Sequence, residues 1–326
     1  MNQYTASISC ITYNQSAYIT DALNGFVMQQ TNFPFVAVVI DDASTDGEQE
    51  VIKSYLEEHF DHSEETGYKQ WETEDACWIF ARHKQNENCH IVAVFLKRNL
   101  FKEPEKKDAV VKDWLNTKYI AVCEGDDYWT DPLKLQKQVD FLEAHPECAV
   151  AFHRYDILQQ EEHIWRKDRC NVYLRPKQDF VEITIQMYFA TWVTQPCTMM
   201  FRKGVYLGHD KPYKRYKDSH MIFHLLNGGK GYLLNYNGAV YRENKGGIHG
   251  RTPILNQSRL AVEVARELYD YNGKTAVLKD NLVNVLDWAI GCEKKYEDAK
   301  TMLNAFIWQR FLLTKSIKKA LKQYFK

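Results

Sequence analysis

Twice in this chain an apolar run suited to a buried strand breaks off into a cluster of carboxylates. Phe35-Val-Ala-Val-Val-Ile40 ends in Asp41-Asp42-Ala43-Ser44-Thr45-Asp46-Gly47, and Tyr119-Ile-Ala-Val-Cys123 ends in Glu124-Gly125-Asp126-Asp127. Clustered, unpaired carboxylates cannot sit inside a packed sheet without a large desolvation cost. Runs that are apolar at every position, rather than alternating, belong to strands covered on both faces, as in a parallel sheet between helices. In such a sheet the carboxyl ends of the strands open the crevice that takes ligands. Both acidic clusters are therefore read as loops at that edge.

The rest of the chain keeps the same rhythm. Ser7-Ile-Ser-Cys-Ile-Thr12 is strand-like and leads through Tyr13-Asn14 to Ser16, a candidate cap for a helix bearing Ile19, Leu23, Phe26 and Val27 on one side. A helix with Val51, Ile52, Tyr55 and Leu56 follows the first acidic loop, and Ile91–Leu96 is another buried-strand candidate. Strand alternating with helix predicts an α/β fold with a mostly parallel, Rossmann-like sheet flanked by helices. Asp131-Pro132 predicts a helix start with Pro at its first position; Leu135, Val139 and Leu142 share a face, and His145-Pro146 stops it. Residues 60–90 break the rhythm and read as an insertion, ordered because it carries Trp71, Trp78, Ile79 and Phe80.

Further on, a helical stretch is expected from 183, leading into Gln195–Arg202, and Asp218 opens a short helix that Asn227-Gly228-Gly229 ends. Residues 231–234 and 239–241 read as two short strands, and Gly246-Gly247-Ile248-His249 as a loop. Beyond about 253 the chain reads as helical. It closes on a basic amphipathic stretch with Arg310, Lys315, Lys318, Lys319, Lys322 and Lys326, and with Leu303, Phe306, Ile307, Leu313, Ile317, Leu321 and Tyr324 as its apolar stripe. The expected organisation is a catalytic α/β domain over 1–250 and a helical appendage over 251–326.

Composition closes off several classes of function. A net charge of −1 gives no field for nucleic acid. No apolar run reaches the ~18–20 residues of a spanning helix, and no leader peptide is visible at the start. The eight cysteines form no Cys-x-x-Cys pair, and Cys10 and Cys123 fall inside strands, so a reducing cytoplasm is the simplest setting. No Gly-x-Gly-x-x-Gly follows any strand, which argues against a dinucleotide-dependent oxidoreductase. Three hard oxygen donors around Gly125 point instead to a divalent cation holding a phosphate. The competing role for those acids is a solvated turn, with Asp131 as a helix cap.

Taken in order, these segments resemble the family 2 inverting glycosyltransferases, which have the GT-A fold. The resemblance covers roughly residues 5–60 and 91–250. Ile11-Thr12-Tyr13-Asn14 resembles the family's first donor-site loop, and Ile40–Gly47 its "VDDGSTDGT" segment. Glu124-Gly125-Asp126-Asp127 stands where the family carries a DXD metal motif, with Glu in place of the first Asp. Ala239-Val-Tyr241-Arg242 followed by Gly246-Gly247 resembles "YRxHxGG", with Asn244 in place of the histidine and His249 just beyond.

The resemblance implies a nucleotide-sugar donor, a UDP-sugar, held through Thr12, Tyr13, Asn14, Asp42, Glu124, Gly125, Asp126, Asp127 and Arg242. Tyr13 would stack on the base, and Asp42 would accept the uracil imide hydrogen. Mn²⁺ or Mg²⁺ would be held by Asp126, with His249 as a second candidate ligand. Asp218 matches the position of the catalytic base, and an N-cap aspartate is its competing role. Lys97 and Arg98 are candidates to face the diphosphate. The implied acceptor is a saccharide or lipid-linked acceptor in bacterial surface-polysaccharide synthesis, at the inner face of the membrane if the basic C-terminal helix makes peripheral contact there; the commoner fate of such a helix, and the one expected ahead of it, is to pack on the catalytic domain with its lysines in water. The alternative is a non-catalytic nucleotide- or sugar-binding assembly partner with the same fold.

Overall fold

The computed structural model describes residues 4–205, 207–295 and 300–315, with the side chains of all these except 104, 248, 249, 300 and 301. The strands are β1 (Ala6–Thr12), β2 (Phe35–Asp41), β3 (Phe60–Asp61), β4 (Lys69–Glu72), β5 (Ala76–His83), β6 (Cys89–Leu96), β7 (Tyr119–Val122), β8 (Tyr128–Trp129), β9 (Cys148–Gln159), β10 (Ile164–Lys167), β11 (Phe180–Ile183), β12 (Met200–Arg202) and β13 (Lys230–Glu243). Among the described residues they form one sheet in the order β11-β13-β9-β12-β7-β1-β2-β6-β5-β3, with β10, β4 and β8 paired at its margins.

The expected parallel sheet is its middle. β7, β1, β2 and β6 run parallel, with Ile8 level with Ala37 and Ala121, and Val38 level with Val92. β2 is buried at all seven positions, which is why its sequence shows no alternation. Helices α1 (Ile19–Val27), α2 (Glu48–His59), α3 (Pro104–Val111) and α4 (Lys134–Ala144) follow in chain order. α1 starts at Ile19 without a side-chain cap, and the Ser16 amide is held instead by Asp46 Oδ2 at 2.9 Å. α4 starts after a turn in which Asp131 Oδ1 accepts the Leu133 amide, and it buries Leu135, Val139 and Leu142 as expected.

The two wings bring in antiparallel pairs, and the sequence reading differs from the structure there. The 60–90 insertion is an extension of the sheet: β4 and β5 form a hairpin, and β5 pairs with β6. Trp71 stacks on Trp78 at 5.4 Å, and Trp78 joins Val92 and Val94 in a core cluster. On the other wing, β13 is a single strand from Lys230 to Glu243 rather than two short ones; Asn235, Tyr236 and Asn237 break the apolar pattern without breaking the strand. The helical stretch expected from 183 into Gln195–Arg202 shrinks to α5 (Ile185–Ala190). Beyond it come β-branched Thr191, Val193 and Thr194 and then Pro196, which oppose helix continuation.

The chain divides into two compact units. The first holds residues up to Thr184, Trp192–Leu207 and His224–Arg242; the second holds Ile185–Thr191, Gly208–Phe223 and the chain from Glu243 onward. The helical unit thus takes in segments on the earlier side of 251. It contains α7 (Ile248–Arg251), where a loop was expected, α8 (Ile254–Tyr271), α9 (Ala276–Glu293) and α10 (Lys300–Thr314); α6 (Asp218–Gly228) begins in it. Its core is built from Val262, Ala265, Leu282, Leu286, Ala289, Ile290, Phe306 and Ile307, with Leu303 and Leu313 against it. Arg259 spans to buried Glu293 with hydrogen bonds of 2.6 and 2.9 Å, fixing α8 to α9. Lys318, Lys319, Lys322, Lys326, Ile317, Leu321 and Tyr324 lie outside the described residues. Among the described residues no helix is long and apolar enough to cross a membrane.

Candidate functional site

Three loops at the carboxyl edge of the parallel strands build the candidate site. The loop after β1 (Tyr13–Ser16) is zipped to the loop after β2 (Asp42–Gly47). The Asp42 amide donates to Thr12 O at 3.0 Å, and the Asn14 amide to Ser44 Oγ at 2.9 Å. Asn14 Oδ1 accepts the Thr45 amide at 2.8 Å. Both loops need left-handed backbone, at Asn14 (φ 55) and Ala43 (φ 61). Asn adopts that conformation with little strain, whereas Ala does not.

The hub of this zipper is Glu48, which the sequence reading passed over. It is buried at the first position of α2. Its Oε2 accepts the Gln15 amide at 3.0 Å and the Ser44 hydroxyl at 2.8 Å, and its Oε1 meets the Thr12 hydroxyl. Burial raises its carboxyl above the usual range, against the pull of the Thr12, Gln15 and Ser44 donors. Its signal in the sequence was present, since an acid opening a helix is favoured by the helix dipole. Nothing local announced its long-range partners. Tyr13 leaves the same loop with 45% of its surface exposed, free to stack on a planar ligand.

The third loop, after β7, is pressed onto the end of β1. The Cys123 amide donates to Ser9 O at 3.1 Å and the Gly125 amide to Ile11 O at 3.2 Å, so the acidic segment continues the β1 pairing past β7 itself. A Cβ at Gly125 would lie 2.2 Å from Thr12 Oγ1 and 2.6 Å from Thr12 Cβ, which explains the glycine. Glu124 is exposed and Asp126 partly exposed, whereas Asp127 is buried.

Asp127, expected to face the donor, is turned inward. Its Oδ1 accepts the Arg242 amide at 2.8 Å, its Oδ2 has no partner, and burial followed by the neighbouring Asp126 charge pushes its carboxyl up. Arg242, also expected at the donor, is only 5% exposed. Its guanidinium donates to Asp126 O at 2.8 Å and Asp21 Oδ2 at 2.6 Å, and lies over the rings of Tyr18 and Tyr128. It holds the acidic loop in shape rather than projecting from it. Asp42 is placed likewise: its carboxylate accepts the Leu100 amide at 2.6 Å and pairs with Lys107 at 3.2 Å, so both oxygens are engaged inside the protein. Lys97 and Arg98 pair with Glu72 and Glu103 at 2.6 and 2.5 Å.

Among the described residues no group of three or more His, Cys, Asp or Glu side chains could hold a metal by itself. Mg²⁺ and its like are held by one or two carboxylates plus the phosphates of the bound substrate. Glu124 and Asp126, both open to solvent beside a forced glycine, fit that kind of donor set. The His249 side chain lies outside the described residues.

Asp218 belongs to the helical unit and is the first residue of α6. Its side chain is exposed to solvent, which tempers the upward push of desolvation on its carboxyl, and the Lys217 charge pulls the other way. The same turn is anchored by His220, which is buried, accepts the Lys217 amide at 3.1 Å and faces Glu267 of α8 at 3.5 Å.

Comparison with known proteins agrees with this architecture. Residues 7–69, which run from β1 through both zipped loops, match the family described as Glycosyl transferase family 2. The fold matches that of Staphylococcus aureus TarS (residues 1–349), solved with UDP-GlcNAc, at a TM-score of 0.62 and 17% identity over 96% of this chain and 81% of that one. With UDP the match is 0.60 at 18% identity over 99% and 89%. An uncharacterised Mycobacterium tuberculosis protein is 37% identical over 158 residues, 48% of this chain and 36% of that protein. A Bacillus subtilis protein provisionally named a teichuronic acid biosynthesis glycosyltransferase, TuaG, is 24% identical over 163 residues, 49% of this chain and 51% of that one. The matched region thus spans between a third and a half of these curated relatives' length. The chain is thus similar to glycosyl transferase family 2 over residues 7–69, and its fold is of the GT-A type.

Proposed function

We propose that the protein is a metal-dependent inverting glycosyltransferase that transfers a sugar from a UDP-sugar to a saccharide or lipid-linked acceptor in surface-polysaccharide synthesis. The observation that carries this reading is the Glu124-Gly125-Asp126 loop. It sits at the carboxyl edge of the parallel strands, locked against Thr12, with two carboxylates open to solvent. Thr12 and Asn14 shape the first loop, and the exposed ring of Tyr13 stacks on the base. Asp42, held by Lys107, offers the base a fixed charge environment and reaches it only by exchanging a partner. Asp126, with Glu124 beside it, would hold Mn²⁺ or Mg²⁺, which supplies neutralising charge for the diphosphate leaving group.

Inversion needs a base on the acceptor side. The acceptor oxygen forms its bond to the sugar's anomeric carbon as the bond to the diphosphate breaks, and the acceptor proton passes to the base. Asp218 takes that proton. The setting we infer is the cytoplasm, at the inner face of the membrane. There, α10, with Trp308 60% exposed and Leu312 and Lys315 also exposed, leads into an acid-free basic stretch suited to an anionic surface.

The test is thermal unfolding with UDP, GDP, CDP and ADP, each with and without Mn²⁺. A nucleotide at 100 times its dissociation constant adds about 2.7 kcal/mol. A UDP shift that needs Mn²⁺ in the wild type and is lost in Asp126→Ala supports the reading. No shift with any nucleotide sinks it. Asp218→Asn should keep the UDP shift and lose at least 100-fold in transfer rate.

A further inference from the structure

The strand that carries β9 does not stop where its neighbours do. Met200 of β12 is level with Ala121 of β7 on one side and Ala151 of β9 on the other, antiparallel to both, so β7 and β9 run the same way. β7 ends at Val122, one residue past that level, while β9 continues to Gln159. At ~3.3 Å per residue, β9 overruns β7 by roughly 23 Å toward the edge that bears the acidic loop. There it turns back through β10 as a hairpin arm, with β13 the other strand bonded to β9 on that side of the sheet.

Isolated two-stranded ribbons are marginal unless something holds them. Here the root is pinned by Asp168, whose carboxylate accepts the Tyr155 amide at 3.1 Å, the Cys170 amide at 2.9 Å and Arg154 Nε at 3.1 Å. Further out, all four residues of β10 are exposed. Trp165 leaves 56% of its surface in water, although the Leu158 opposite it in the ladder is buried. A cross-strand Lys167–Asp156 pair at 2.8 Å stands beside the indole on the same face, two residues along. Burying a tryptophan is a large gain that this arm forgoes. A flat apolar ring beside a paired cation and anion, on a pinned support, is suited to a ligand with an apolar face and a polar rim. A pyranose ring is such a ligand: its axial C–H face stacks on indole, while its equatorial hydroxyls reach the ion pair.

We propose that this arm is an acceptor subsite, in which Trp165 stacks on a sugar unit of the acceptor saccharide away from the reacting hydroxyl. The proposal rests on the glycosyltransferase reading for the word acceptor, and on the arm alone for saccharide binding. The experiment screens fluorescently labelled wild-type protein on a printed array of bacterial and plant oligosaccharides. The best binder is then titrated in solution against Trp165→Ala, Trp165→Phe and Ile164→Ala, with the UDP-and-Mn²⁺ thermal shift measured on each. Trp165→Ala should bind the saccharide at least tenfold more weakly with its UDP shift unchanged. Trp165→Phe should keep most of the binding, and Ile164→Ala, on the opposite face of the ribbon, should keep all of it. Equal saccharide binding by wild type and Trp165→Ala overturns the proposal, as does a wild type that binds no saccharide on the array. Trp165-dependent saccharide binding without any nucleotide shift leaves the arm standing and removes the glycosyltransferase reading instead.

Discussion

Two buried polar regions of the sheet unit are built on opposite principles. In the zipper of the loops after β1 and β2, nearly every buried polar group has a partner: Glu48 alone meets Thr12, Gln15 and Ser44, and only one oxygen of Asp41 is left over. In the region where α4 meets β9 and β13, the reverse holds. Lys134 Nζ, Gln138 Oε1, His153 Nε2 and Tyr236 Oη are all buried without a hydrogen-bond partner, and Lys134 Nζ rests only on the face of Trp129 at 3.8 Å. A satisfied buried network fixes one geometry, whereas unsatisfied groups cost stability. The chain concentrates its hydrogen bonds in the loops of the proposed donor site, and tolerates a deficit around α4.

The sharpest way to break the first region is Gly125→Ala. The new Cβ would meet Thr12 at 2.2 and 2.6 Å, and the nearest atoms include Thr12 Cβ, which sits directly on the backbone of β1 and cannot swing aside. The acidic loop must lift from β1, breaking the Gly125–Ile11 bond. We expect complete loss of the UDP-and-Mn²⁺ thermal shift and destabilisation of about 3 kcal/mol, read by urea unfolding. A variant that keeps the shift would show that the locked loop is not what presents Asp126.

Removing the hub comes next. Glu48→Ala leaves the Gln15 amide and the Ser44 hydroxyl without their acceptor, and the Thr12 hydroxyl with Gln15 Oε1 at 2.7 Å in its place, at about 1 kcal/mol or more for each group stranded. We expect a loss of about 2–3 kcal/mol and a UDP affinity at least tenfold weaker. Glu48→Gln should recover part of the stability, because it keeps an acceptor while carrying no charge. Unchanged affinity in Glu48→Ala would separate the zipper from nucleotide binding altogether.

The second region predicts the opposite sign. Burial pulls the Lys134 ammonium down to about 7 from 10.5, and His153 down to about 3 from 6.5, with Lys134 contributing to the His153 shift. In both cases the unfolded chain binds protons that the folded chain refuses. Stability therefore rises with pH, from about 3 to 6.5 through His153 and from about 7 to 10.5 through Lys134. Lys134→Met keeps the volume and removes the charge. It should be more stable than wild type by about 2 kcal/mol at pH 6, after allowing for the lost contact with Trp129. The advantage should shrink toward zero by pH 10.5. A destabilised Lys134→Met at pH 6 would mean that the amine has a partner in solution, such as internal water, and the contrast between the two regions would close.

The two regions also differ in how far the sequence announced them. The parallel strands and the position of the acidic loop were legible, because a strand buried on both faces must be apolar throughout and its carboxylates must wait for the edge. What escaped was set by partners far away in the chain. Glu48 looks like any acid at a helix start until Thr12 and Gln15 are brought to it. Arg242 looks like a ligand contact until Asp21 and the Asp126 carbonyl close on it. Lys134 looks like a solvated helix residue until it is buried with its amine over the ring of Trp129. The β4–β5 hairpin was missed for a related reason: β4 has no buried position and β5 alternates only in part, and such short mixed runs do not separate from a polar insertion by pattern alone.

The smallest expected effect tests whether the zipper stores strain. Ala43 sits at φ 61, where the family segment it resembles carries glycine, while Asn14 at φ 55 faces it across the zipper. Holding an alanine in left-handed backbone costs about 1 kcal/mol. Ala43→Gly relieves that cost but returns about 0.4–1 kcal/mol of conformational entropy to the unfolded chain. The two terms nearly cancel, so urea unfolding should show a gain of no more than about 0.5 kcal/mol, and UDP binding should be unchanged. Asn14→Ala is the informative partner, because it adds the same backbone strain to the facing loop and removes the acceptor of the Thr45 amide. If Asn14→Ala costs no more than Ala43→Gly gains, the zipper tolerates strain freely and its hydrogen bonds are not what fixes the loops. A loss of about 1–2 kcal/mol that persists in Asn14→Gly, which removes the oxygen without adding strain, would show that the acceptor oxygen, not the backbone conformation, holds the two loops together.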